Sequence, residues 1–137
     1  MKARALVSLL GGLVFLGSLP ADGWAQQGPP DPVSFAQLRA NPQAHLGATV
    51  VLGGEIIRWT PSAGGFLLLV LQHPLAANLR PDRLVLSGGW FWVEYPEQLG
   101  PLSPVAPLIT LVGEVVGTRE DTPVIHAQQA SLFSLLW

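Results

Sequence analysis

The sequence predicts an all-β fold: a small antiparallel barrel, OB-like, with a short N-terminal helix. Three observations point there. Strand-type segments recur from Ala48 onward, each bounded by glycine or proline. Pro96, Pro101, Pro104 and Pro107 exclude a long helix from the stretch between the later strands. Gly53-Gly54 interrupts the longest strand segment, where a small sheet can bend and close on itself. A chain of 137 residues has room for one such domain.

Taken in order, residues 1–25 read as a secretory signal peptide. Lys2 and Arg4 form a positive start, Ala5 to Leu19 is apolar, and Pro20 ends the run. Gly23 and Ala25 supply the small residues that precede a cut ahead of Gln26. A membrane span needs about 20 apolar residues, and this run is shorter and interrupted by Gly11, Gly12 and Gly17. Residues 26–32, Gln-Gln-Gly-Pro-Pro-Asp-Pro, are a polar, proline-rich spacer. The domain then occupies residues 33–137.

Ser34 caps a short helix, Phe35 to Ala40, with Phe35 and Leu38 on one face, and Asn41-Pro42 stops it. Ala48 to Trp59 is the first strand, bent at its glycines. Pro61 to Gly65 is a turn, and Phe66 to Gln72 is a second strand whose unbroken apolar run predicts cover on both faces. Pro74 to Asp82 is a loop. Strand character returns at Leu84–Leu86 and Trp90–Tyr95, then at Leu108–Val116. After a turn over Gly117–Pro123, Val124–Ala130 completes the sheet.

These segments resemble the Slp family of starvation-inducible outer-membrane lipoproteins from Gram-negative bacteria. Val51-Leu52-Gly53-Gly54-Glu55-Ile56 is similar to that family's opening strand. Leu69-Val70-Leu71-Gln72-His73-Pro74-Leu75 with Arg80-Pro81 is similar to its second strand and loop, and Ser87-Gly88-Gly89-Trp90-Phe91 to its small-residue-then-aromatic turn. Ile109 to Gly117 is the nearest match, and the chain ends in Leu136-Trp137 as members commonly do. The resemblance spans residues 33–137. It implies an envelope protein linked to stress or stationary phase, and it brings no catalytic residues with it. This chain departs from the family in its cysteines: it has none, so none of its residues can carry a thioether-linked lipid.

Composition narrows the function classes. Lys2 is the sole lysine, and the positive charge past residue 25 is five scattered arginines (Arg39, Arg58, Arg80, Arg83, Arg119). Nucleic-acid binding needs clustered cations to neutralise phosphates, so no nucleic-acid partner is expected. The serines sit in turn or terminal contexts and no Gly-x-Ser-x-Gly elbow occurs. His45, His73 and His126 lack a second ligand at helical or strand spacing and read as polar surface residues. Glu94/Glu97 and Glu120/Asp121 read as solvated loop charge. No catalytic set, metal site or cofactor is expected, and the residues single out no small-molecule ligand.

One cluster stands apart. In Trp90-Phe91-Trp92-Val93-Glu94-Tyr95, strand alternation puts Trp90, Trp92 and Glu94 on one face and Phe91, Val93 and Tyr95 on the other. Either face can be core. A tryptophan face turned outward offers flat apolar area with a polar handle, and the expected partner surface is Trp90 and Trp92 with Trp59 and Arg58 from the first strand. The expected function is a non-catalytic binding or structural module, exported to the periplasm or the periplasmic face of the outer membrane, meeting another envelope component. The alternative is a soluble periplasmic OB-type module that captures an oligosaccharide or a cation.

Overall fold

Ser34 sets the first element. Its hydroxyl accepts a hydrogen bond from the Gln37 backbone N–H at 3.1 Å, and the Gln37 side-chain oxygen accepts from the Ser34 N–H at 3.0 Å. This capping box satisfies two donors that a helix start leaves open and fixes α1, Phe35–Ala40. A 3-10 turn over Pro42–His45 follows. Phe35 and Leu38 are buried, and the Phe35 ring lies 5.8 Å from that of Phe91, tilted by 56°. The computed structural model describes residues 33–135. The expected signal peptide (1–25), the spacer (26–32), and Leu136-Trp137 lie outside the described residues.

Among the described residues five strands follow: β1 (Thr49–Ser62), β2 (Gly65–Gln72), β3 (Trp90–Pro96), β4 (Leu108–Arg119) and β5 (Thr122–Phe133). They close into a barrel in the order β1-β2-β3-β5-β4, the five-stranded closed arrangement of an OB-like domain. Every pairing is antiparallel except β3–β5. That parallel seam consists of Trp92↔Val124, Val93↔Ile125 and Glu94↔His126.

β1 serves two neighbours. Thr49 to Glu55 pair with β4, Gly54 to Ser62 pair with β2, and Gly54 sits opposite both Ile109 and Gln72. A Cβ on Gly54 would collide with the Leu71 carbonyl oxygen and the Val70 side chain, and one on Gly53 with Leu75. The glycine pair thus marks the corner where two backbones come too close for any side chain. Just beyond it the β1–β2 register shifts between Ile56 and Arg58, a bulge that strengthens the local bend.

Inside the barrel sit Leu52, Leu68, Val70, Phe91, Val93, Tyr95, Ile109 and Ile125, among other buried side chains. The hairpins close tightly. Ala63–Gly64 joins β1 to β2 with Gly64 at φ 76°, while Glu120 and Asp121 (φ 55° and 63°) join β4 to β5. Two consecutive positive φ values are the twist a type I′ turn supplies.

Four local expectations change. The turn expected over Pro61 to Gly65 contracts to Ala63–Gly64, because Pro61 and Ser62 pair with Phe66 and Gly65. Leu84–Leu86 is not a strand. The Asp82 carboxylate accepts from the Leu84 N–H at 3.0 Å, and the Val85 N–H donates to the Asp82 carbonyl at 3.2 Å, so Asp82 starts a turn instead. β2 is covered on one face only: Leu68, Val70 and Gln72 are buried, whereas Leu67, Leu69 and Leu71 stay half-exposed outside. The turn expected over Gly117–Pro123 contracts to Glu120–Asp121, because β4 and β5 continue their pairing through Arg119↔Thr122.

The corner is testable. Gly54→Ala should cost about 1–3 kcal/mol, the range for overpacking, read as a lowered urea midpoint. Gly117→Ala, where no atom lies within 4 Å of the added Cβ, should shift stability by no more than about 0.5 kcal/mol. Equal effects at the two sites would contradict the corner assignment.

Candidate binding face

The alternation of β3 resolves which face is core. Phe91, Val93 and Tyr95 are buried, and Trp90, Trp92 and Glu94 point outward. Register then assembles the outer wall in rows. Glu55, Leu71 and Trp90 form one row, and Arg58, Leu69 and Trp92 the next. Thr60, Leu67 and Glu94 form the third. Its centre is apolar, built of the outer leucines of β2 and the two tryptophans, and its margins are charged. Leu69 and Leu71 are half-covered because each is flanked across the ladder by a tryptophan and a long charged side chain.

The tryptophans differ in access. Trp90 is 42% exposed, whereas Trp92 is only 9% exposed. The Arg119 guanidinium lies 5.2 Å from the centre of the Trp92 ring, a cation–π placement. Arg58 is exposed on the same wall, in the row of Trp92. Trp59 is on the opposite face. It pairs with the core residue Leu68 and packs against Phe66, with ring centres 6.4 Å apart. The structure therefore sets Trp90, Trp92 and Arg58 on the same side of the sheet, leaves Trp90 and Arg58 exposed, covers Trp92 almost completely and turns Trp59 inward.

Two features of this wall are invisible in the local sequence. Glu94 and His126 meet across the parallel seam, Oε1 to Nδ1 at 3.0 Å, both half-exposed. An exposed pair of this kind contributes about 0–1 kcal/mol. Arg119, Glu94, His126 and Gln98 also border a groove of about 570 Å³ beside the β1–β2 turn, with Phe66 and Leu67 along it. No spacing rule relates residues 94, 119 and 126, because the β3–β5 crossover makes them neighbours. The sole advance signal was Arg119 beside a turn.

The remaining chemistry-bearing residues separate. Among the described residues, no three His, Asp or Glu side chains group as a metal site requires. Glu94 belongs to β3 and Glu97 to the 3-10 turn after it, so they do not act as a loop pair. His73 is not on the surface as expected: it is buried, its backbone N–H donating to the Gly53 carbonyl at 2.9 Å, and its ring Nδ1 has no hydrogen-bond partner among the described residues. The chain folds back over Gly53 directly after β2, and that brings the imidazole in with it.

Beneath the wall, the Tyr95 hydroxyl donates to the Leu99 carbonyl at 3.3 Å. Burial pushes this phenol above its ordinary value of 10.0, because a phenolate is poorly solvated there. A raised folded-state pKa stabilises the protein below the unfolded value and loses that contribution as pH climbs through the folded one. Stability should therefore fall above about pH 10, and Tyr95→Phe should flatten that fall while costing about 0.5–1.5 kcal/mol at neutral pH. An unchanged alkaline limb in denaturant titrations of the variant would contradict the placement.

Comparison with known proteins gives three findings. A family model described as the outer membrane lipoprotein Slp family matches residues 18–128. No curated protein matches the chain. Among solved structures, the chain is similar to "Structure of U. maydis Replication protein A bound to ssDNA", with 16% identity and a TM-score of 0.42 over 79% of this chain and 77% of that one. At that score the likeness carries no argument about ligands, and the architecture rests on the strand order itself.

Proposed function

Because the chain belongs to the outer membrane lipoprotein Slp family, we infer that it serves the cell envelope as a non-catalytic binding module whose outward β2–β3 wall meets an envelope partner. The observation that carries this is the open apolar wall. Trp90 stands exposed at one end, Leu67, Leu69 and Leu71 remain half-covered, and Arg58, Arg119 and Glu94 edge the surface. Large aromatic and arginine side chains on an otherwise finished fold are the usual anchors of protein recognition. Cleavage ahead of Gln26 would deliver the domain to the periplasm or the periplasmic face of the outer membrane. A link to starvation or stationary phase, implied by the family resemblance, belongs to the same proposal.

One observation favours a second occupant class. The groove bordered by Arg119, Glu94, His126 and Gln98 lies beside the β1–β2 turn, the region where OB barrels hold oligosaccharides. A soluble sugar there would contact polar groups rather than the tryptophan row. No comparable feature favours a cation.

The two readings separate by mutation. Capture of envelope proteins from a cross-linked cell extract should fall about thirtyfold or more for Trp90→Ala, as for an interface anchor, with the melting temperature nearly unchanged because the ring is at the surface. Gln98→Ala, in the groove and outside the wall, should leave that capture intact and reduce any sugar-dependent rise in melting temperature. Capture indifferent to Trp90 would end the first reading.

A further inference from the structure

The loop between β2 and β3 places apolar side chains where turn chemistry calls for polar ones. Asp82 opens the turn with its carboxylate and carbonyl both engaged by the following backbone N–H groups. The residues it holds out are Leu84, 97% exposed, Val85, also exposed, and Leu86, 91% exposed. Single exposed leucines are ordinary on protein surfaces, but a contiguous apolar run is not. Nothing in the described fold covers this one: Leu84 and Leu86 are almost fully exposed, although Leu86 also borders an open groove.

Its surroundings have a definite order. Arg83 lies 3.7 Å from Glu55, which heads the row containing Leu71 and Trp90. Arg39 of α1 lies beside Gly89, immediately before Trp90. An open groove of about 660 Å³ runs between α1 and the loop, lined by Phe35, Arg39, Gln72, Pro74 and Leu86, among others. The edge therefore combines an aliphatic tip directly after Arg83 with an exposed tryptophan whose chain neighbour Gly89 lies beside Arg39. Tryptophan and arginine with long apolar stems favour the headgroup level of a bilayer, with aliphatic groups beyond them in the acyl region. A tip of Leu84, Val85 and Leu86 brings no polar side chain to fix a protein partner's orientation, whereas a fluid apolar phase needs none.

We propose that the Arg83–Trp90 loop is a membrane-docking edge that inserts Leu84 and Leu86 into the acyl boundary of a lipid monolayer, with Trp90 and Arg39 at the headgroup level. The proposal rests on the envelope reading only for the surface met. The local charges oppose each other, Arg39 and Arg83 against Glu55 and Asp82. Docking is accordingly driven by apolar burial, weak and reversible, and insensitive to salt. With no cysteine in the 137 residues, none of them adds a thioether-linked acyl chain to this attachment.

The test is co-sedimentation of the processed protein with vesicles of pure phosphatidylcholine and of an equal mixture with phosphatidylglycerol, at low and high salt. The expected result is binding to both lipids, little changed by salt, and weakened about tenfold by each of Leu84→Asp and Leu86→Asp. These side chains make no core contact, so both variants should keep the parent melting temperature. Vesicle binding that survives the double substitution overturns the proposal, as does binding confined to anionic lipid at low salt. So does a double variant that loses self-association on gel filtration while binding no vesicles in either form, which would assign the loop to a second copy of the chain. Any of these failures leaves the capture test at Trp90 to judge the envelope reading by itself.

Discussion

β1 must hydrogen-bond to β4 with its first half and to β2 with its second, and the geometry of that handover organises the rest of the molecule. Gly54 faces both neighbours, and the adjoining backbone and Val70 lie too close for a Cβ there. Once the corner is made, the sheet curls until its remaining edges, β3 and β5, come side by side and join in parallel over three residue pairs. Closure leaves no strand edge open along the seam. It also decides which side of every strand is core. Phe91, Val93 and Tyr95 have no alternative to the interior, and Trp90 and Trp92 have none to the outside.

The outer wall is thus a product of closure as much as of composition. Trp92 sits in the seam, and Arg119, at the end of β4, reaches over it. Glu94 and His126 pair across the same seam one row further on. Trp92 is therefore held, while Trp90, at the start of β3, is exposed. A buried ring adjoining an open one leaves the wall accessible at its Trp90 end. The exposed apolar area stabilises nothing in the monomer, since burial rather than exposure supplies the hydrophobic term. Its persistence on the finished fold is the physical reason to assign it to recognition.

Much of the architecture was legible in the residues because it is locally encoded. Ser34 and Gln37 specify the start of α1, Asn41-Pro42 its end, and Gly53-Gly54 the bend in β1. The barrel class followed from those signals together. What misled were cases where local pattern and tertiary setting diverge. Phe66–Leu71 is apolar at every position and so hid the alternation that burial reveals. Leu84–Leu86 looks like a strand until Asp82 commits the backbone to a turn. Glu120–Asp121 makes a two-residue turn without the usual glycine, so the linear pattern there shows a longer loop. On the wall, Trp90 and Trp92 were predictable as a face of one strand, but which face was not. That Trp59 turns inward follows from the bulge between Ile56 and Arg58, and the meeting of residues 94, 119 and 126 from the parallel seam. Neither has a signature in the linear chain.

The central claim is that the tryptophan wall is open on the isolated protein and occupied in the cell envelope. Hydroxyl-radical footprinting read residue by residue, on the purified protein and in intact cells, tests it directly. The account predicts heavy oxidation of Trp90 in the purified protein, strong protection of it in cells, and low reactivity of Phe91 and Tyr95 in both. Equal Trp90 oxidation in the two settings would contradict the assignment of that wall to a partner, and a reactive Phe91 would contradict the fold that creates it.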